Sequence, residues 1–329
     1  MIFGTTSTGD DVAQLTIASG DLTVSLLTWG AIVQDVRLAG IDRSLTLGSD
    51  SIADYESDMR HHGSLIGPIA NRISTARVLI DGMMYELERN QDGAIHLHSG
   101  AQATHRRNWE VLASSPTEVT LRCILIDGAC GLPGNREITA TFAVSKPATL
   151  TLTVTGKTDA PTLMNFANHS YWNFDGTDTW DGHRLQIHAD SFLPATPQNY
   201  PTGEIADVED TAMDFRQLRQ ISPENPPLDN NFCLSGSRGP VRDVLTLQGS
   251  SGVGMTVATD QPGIQIYDGR DAMRPARANY EGLAIEAQGW PDAPNNPTFP
   301  SIRVTPDTPY QQTTRFSFYK SAKPPTPNA

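Results

Sequence analysis

Two stretches of this chain carry ionisable side chains where strand patterning predicts apolar ones. FANHSYWNFDG (166–176) follows a clean alternating run, yet it presents Asn168 and His169 beside Tyr171, Trp172 and Phe174. LAIEAQGWPDAPNNPTFPS (283–301) sets Glu286 between Ala284, Ile285 and Ala287. A carboxylate in such a run is costly to bury unless it is paired or its pKa is raised. Three further polar segments interrupt the apolar pattern. They are IGPIANRIS (66–74) with Asn71 and Arg72, IHLHSG (95–100) with His96 and His98 on one predicted strand face, and LDNNFCL (228–234) with Asp229. Taken singly, most have an ordinary reading: a hydrogen-bonded core histidine, a surface ion pair for Arg72, a turn residue for Asp229. Glu286 is the hardest to explain that way. The His-x-His pair and His61–His62 lack a third ligand of the Cys or His-x-x-x-Glu kind, so no metal site is expected.

The elements that must hold these groups are strands. ATLTLTVTG (148–156) puts Leu150, Leu152 and Val154 on one face and threonines on the other. REITATFAV (136–144) and EVTLRCIL (118–125) repeat the pattern. RVLIDGMMYEL (77–87) reads as a hairpin turning at Asp81-Gly82. Further strands are expected near 13–18, 22–28, 31–38, 183–189, 242–248, 253–259, 263–267, 282–287 and 313–319. DTAMDFRQ (210–217) is the one segment with short helical character. Many short strands with frequent Gly and Pro turns predict an all-β, large antiparallel sandwich. The pattern continues in one style on both sides of the Pro-rich loops 193–203 and 222–232. One domain over 1–329 is therefore expected, with a loose tail at 320–329.

Bulk properties narrow the class. The 329 residues are 38% hydrophobic and 19% charged, with a formal charge of −13. Such acidity argues against a nucleic-acid or anionic-membrane partner. The cysteines Cys123, Cys130 and Cys233 are too few and too scattered for a disulfide framework, and Cys123 reads as a small core residue. MIFGTTSTGDD has neither a basic nor an apolar leader region, and no run of about 18 apolar residues exists. A cytoplasmic protein is the expectation.

The ordered motifs carry a resemblance. NRI, DG-x-x-Y-x-L, LHSG, NHSYWNF, DNNF, PGIQIY and IEAQ-x-x-PDAPN follow one another from residue 66 to 318. This series resembles the aldose 1-epimerase (galactose mutarotase) family, whose fold is a large antiparallel β-sandwich (the supersandwich). The resemblance implies that His169 is the catalytic acid and Glu286 the base. It implies that Asn71, Arg72, His98, Asp229 and Gln265 bind the sugar's hydroxyls and its ring or anomeric oxygens. It implies a monosaccharide substrate, no cofactor, no metal, and a monomer or homodimer. Trp172 or Trp290 is a candidate for stacking on a sugar face, with core packing the alternative.

The chain departs from the family pattern in places. LHSG stands where L-H-G-G is usual, AQATHRRNW (101–109) replaces an aromatic-containing segment, and DGRDAMRPAR (268–277) follows PGIQIY instead of T-G-N. Arg106, Arg107, Arg270, Arg274 and Arg277 are thereby candidates to line a pocket for an anionic sugar, against the plainer reading of scattered surface arginines. Three functions are carried forward: a mutarotase of free aldoses, a mutarotase of hexose 6-phosphates or uronates, and a sugar-binding protein that has kept the fold without the activity. A metal-dependent hydrolase is the most distant alternative.

Overall fold

The computed structural model describes residues 1–321. Its largest element is a nine-stranded antiparallel sheet. The middle of that sheet is formed by Glu118–Leu125, Arg136–Ser145, Thr149–Thr158 and Tyr310–Lys320. Register places Phe142 opposite Leu152, and Leu150 opposite Phe316. All four rings and chains are buried, each worth roughly 1.5–3 kcal/mol of apolar transfer. The opposite face carries cross-strand hydroxyl pairs such as Thr120–Thr141 and Thr149–Ser317, both at 3.0 Å. Cys123 is a buried core residue.

A six-stranded sheet packs against this layer and carries the chemistry. Its order is Tyr171–Trp172, Leu283–Gln288, Gly263–Tyr267, Asp229–Cys233, Ser191–Phe192 and Ala206–Asp207. Gln265 pairs with both Glu286 and Asn231, and Tyr267 pairs with Asp229 and Ala284. Paired residues share a face and side chains alternate. Asp229, Asn231, Gln265, Tyr267 and Glu286 therefore point one way. Ile264, Ile266, Ile285 and Phe232 point into the core. This answers why Glu286 interrupts an apolar run: both faces of its strand are covered, and only one of them is hydrophobic.

The hairpin at 77–87 forms as its sequence predicts, from Arg77–Ile80 and Met83–Glu86. Asp81 and Gly82 both take positive φ, 49° and 83°, as a two-residue primed turn requires. The segment 210–217 differs from expectation: it is a set of turns, not a helix. Thr211 Oγ1 donates to the Val208 carbonyl at 2.7 Å and accepts from the Met213 amide, while Asp214 accepts from the Arg216 amide. Such local side-chain bonds compete with helix formation. The tail is ordered further than expected, because Lys320 ends a strand and the Ser321 amide donates to the Gly252 carbonyl. Residues 322–329 of that tail lie outside the described residues. Among the described residues, no helix is long and apolar enough to cross a membrane.

Candidate active site

The polar face of the six-stranded sheet floors a cleft of about 320 Å³, at the small end of the range for small-molecule sites. Asn71, Arg72, His98, His169, Asp229 and Glu286 all line it, although they span more than 200 positions of sequence. Gln265 does not. It lies beneath the wall, and its Nε2 donates to Asp229 Oδ1 at 2.7 Å. A larger hollow of about 460 Å³, bounded by Pro262, Ile302 and Tyr310, contains none of the seven.

Two loops deliver the residues that the sheet does not. Asn71 and His98 hold left-handed backbone, with φ of 64° and 50°, a conformation that costs energy unless its surroundings fix it. Here the two residues fix each other. The Asn71 amide donates to His98 Nδ1 at 3.1 Å, and the His98 amide donates to the Asn71 carbonyl at 2.9 Å. A neutral imidazole that accepts at Nδ1 carries its proton on Nε2, so His98 is set as a donor. Ser99, also left-handed at φ 63°, both accepts from the Ile69 amide and donates to the Ile69 carbonyl. The serine of LHSG thus clips the two loops together. His96 turns away from the cleft and contacts the Glu88 carbonyl through Nδ1 at 2.7 Å. The shared face expected for His96 and His98 is lost because the strand ends at Leu97.

Arg72 is no surface residue. Its Nε donates to Gln91, and its Nη1 reaches the Asn199 carbonyl and Asp229 Oδ2, the latter at 3.4 Å. Burial raises the pKa of Asp229, opposed by the Arg72 charge and the Gln265 hydrogen bond. His169 is held by its backbone: its amide donates to the Ser64 carbonyl, and its carbonyl accepts from Gly63. Asn168 supports that turn, donating to the Gly63 carbonyl and accepting from the Ser170 amide.

His169 Nε2 and Glu286 Oε1 face each other at 3.4 Å, both side chains almost wholly buried. Burial lowers the His169 pKa to about 4. Burial first, and then the Asp229 charge, push Glu286 far above the usual carboxylate range. A neutral imidazole beside a protonated carboxyl holds the same single proton as an imidazolium beside a carboxylate. Both shifts favour the proton on oxygen over the proton on nitrogen, so the environment lowers the cost of moving it from His169 to Glu286.

The expected stacking tryptophans are elsewhere. Trp172 is fully buried on the core face of its strand, against Phe316 and Phe318. Trp290 packs edge-on to Phe299 and donates its indole N–H to the Pro262 carbonyl. Alternation explains the first case, since Trp172 lies one residue away from the cleft-facing Tyr171. The aromatic walls are instead Tyr171 and Tyr267. Both share the cleft face by i, i+2 spacing, Tyr171 from His169 and Tyr267 from Gln265, a signal that was available in the sequence. His105 is also unforeseen, and His61 and His62, weighed in the sequence only as metal ligands, join it around the cleft. The His61 ring lies 4.8 Å from His98, 5.2 Å from His105 and 5.6 Å from His169, while His62 stacks on Tyr171 at 4.3 Å. Among the described residues, no group of three or more His, Cys, Asp or Glu is arranged to hold a metal ion.

Of the five flagged arginines, four are taken up by local partners and Arg106 alone has none among the described residues. Arg270 pairs with Asp268 at 2.6 Å, Arg274 with Glu281, and Arg277 with Asp178 and Glu281. Arg107 donates to the Gln102 carbonyl. Local carboxylates and carbonyls consume the charges that composition alone leaves free. Arg270 still borders the cleft, but with its fork already filled.

The fold and site together define a double-layered antiparallel β protein with a buried imidazole–carboxyl pair at the floor of a polar cleft. The sequence model of the aldose 1-epimerase family matches residues 13–317. Galactose mutarotase of Bos taurus is 30% identical over 326 residues, covering 93% of this chain and 94% of the relative. Aldose 1-epimerase of Escherichia coli (strain K12) is 29% identical, covering 90% and 92%. The crystal structure of a GalM/aldose epimerase homologue from C. elegans superposes with a TM-score of 0.87 at 29% identity, covering 94% of this chain and all of that one. The chain belongs to the aldose 1-epimerase family.

Proposed function

We propose that this protein is an isomerase that interconverts the α and β anomers of a free aldose by opening and reclosing the sugar ring. The observation that carries this reading is the 3.4 Å approach of His169 Nε2 to Glu286 Oε1 at the floor of the cleft. Glu286 as carboxylate takes the proton from the C1 hydroxyl, and His169 as imidazolium gives its proton to the ring oxygen. The C1–O5 bond breaks as the C1 carbonyl forms. Rotation about C1–C2 exposes the other face of the aldehyde, and reclosure returns both protons. The open-chain stage coincides with neutral imidazole and protonated carboxyl, the distribution that burial favours. Arg72, Asp229, Asn71 and His98 hold the hydroxyls, while Gln265 positions Asp229. No step calls for a metal or a redox cofactor.

Polarimetry of freshly dissolved α-D-glucose and α-D-galactose tests this directly. The approach to equilibrium rotation is expected to accelerate in proportion to protein concentration. No acceleration for any aldose would refute the reading. Asp229→Ala is expected to raise KM roughly ten-fold, because it removes a charged acceptor and releases both Gln265 and Arg72. An unchanged KM in steady-state kinetics would remove Asp229 from the binding set.

A further inference from the structure

The cleft does not end at His98. A second hollow lies behind its wall, and Arg60, His61, Leu97 and His98 line both spaces. His105, Arg106, Glu88, Asn90 and the backbone at Gly100–Ala101 enclose the rest. Glu286, Asp229 and Tyr267 line the cleft but not the hollow, which therefore lies on the far side of His61 and His98 from Glu286 and Asp229.

Its charge is unlike that of the molecule around it. Arg60 and Arg106 are exposed, and among the described residues neither guanidinium forms a salt bridge or a hydrogen bond, whereas Arg270, Arg274 and Arg277 are all paired. The one carboxylate lining the hollow, Glu88, accepts the Ala101 amide at 2.7 Å and pairs with neither arginine. Both cations bear on the same floor. After burial itself, charges including Arg60 and neighbouring histidines depress His61, and Arg106, His169 and Arg60 depress His105, which falls to about 3. Two unpaired guanidinium groups over neutral imidazoles, in a chain of net charge −13, form a site short of an anion.

Ring geometry says which part of a sugar reaches it. With O1 at Glu286 and O5 at His169, C5 and its substituent lie across O5 from C1. His61 and His98, which line both spaces, have rings 5.6 Å and 5.4 Å from that of His169. We propose that the second hollow receives an anionic group carried on C6 of the aldose, a carboxylate or a phosphate, between Arg60 and Arg106. This rests on the cleft being the seat of the sugar ring, and it makes a 6-acidic aldose the better substrate.

The test separates binding from turnover. In Glu286→Gln, titration calorimetry compares D-glucose, D-glucuronate, D-glucose 6-phosphate and inorganic phosphate. At low salt one acidic sugar is expected to bind on the order of ten-fold more tightly than glucose. The advantage is expected to shrink at ~0.5 M salt. It should vanish on adding Arg60→Gln or Arg106→Gln, and Arg106→Gln, which lies outside the cleft itself, should leave the glucose affinity unchanged. Which acidic sugar binds better identifies the group. Equal affinity for neutral and acidic sugars overturns the proposal, as does an advantage that survives both arginine substitutions. Inorganic phosphate binding as tightly as the sugar phosphate also overturns it, since the anion would then be held without the ring. These outcomes stand apart from the parent reading, which fails only if the unmodified protein exchanges no anomers.

Discussion

Glu286→Gln is expected to lower kcat for anomer exchange by roughly 10² or more, with KM changed only a few-fold. Glutamine keeps the shape of the side chain but cannot take the C1 hydroxyl proton. The variant should fold at least as well as the parent. Glu286 Oε2 is buried without a partner, and the Asp229 charge adds to burial in disfavouring its ionised form. Removing an ionisable group from such a position relieves desolvation and like-charge repulsion. The informative result is thus a dead enzyme with an unchanged or raised Tm. Wild-type polarimetric rates in Glu286→Gln would end the base assignment. His169→Asn should produce a loss of similar size. In the parent, kcat/KM should fall on the acid side near pH 4, where His169 takes up a second proton for the pair and the base is lost.

The second large effect concerns stability. His62, His98, His105 and His169 are buried and His61 is half-buried, all five with pKa values held below the ordinary 6.5, chiefly by desolvation; His62 and His105 fall to about 3. Below about pH 6.5 the unfolded chain binds protons that the folded chain refuses, so stability falls as pH falls toward 3. Glu286, Asp229 and Asp292 act in the opposite sense, because their raised values let the folded chain hold more protons above the usual carboxylate range. These five histidines, with His96 and His183 shifted the same way, outnumber the three carboxyls between pH 5 and 6.5. Each unbalanced proton is worth about 1.4 kcal/mol per pH unit. Unfolding free energies from urea titrations at pH 7 and pH 5 should therefore differ by several kcal/mol in favour of pH 7, with the midpoint lower at pH 5. A flat or rising midpoint on acidification would contradict the neutral, buried state of this cluster.

Much of the scaffold is legible because alternation is a local property. Leu150, Leu152 and Val154 announce their face without reference to anything distant. Glu286 is legible for the converse reason, as a carboxylate for which its own strand offers no use. What the sequence hides is what loops bring together. His61 and His105 lie 44 positions apart and meet only through the fold. The tryptophans mislead because one residue of displacement along a strand exchanges cleft for core. The arginines after Tyr267 mislead because their partners, Asp268 and Glu281, are equally plausible surface charges until the loop is folded. The short helix expected at 210–217 fails because Thr211 and Asp214 satisfy the backbone locally.

The strand Leu283–Gln288 writes two messages on alternate letters. Leu283 and Ile285 spell the core, Ala284 and Glu286 the cleft, and the pairing with Gly263–Tyr267 keeps both in phase. A shift of one residue would exchange the messages entirely, sending Ile285 to the sugar and the carboxyl into hydrocarbon. The catalytic floor therefore has no nearby neighbours in sequence space that are both folded and slightly different. The rim has many, because the loops bearing Arg60, Ala101–Arg106 and Arg270–Tyr280 can change without moving a strand. Descendants of this sequence are free to revise which sugar they accept far more readily than what they do to it.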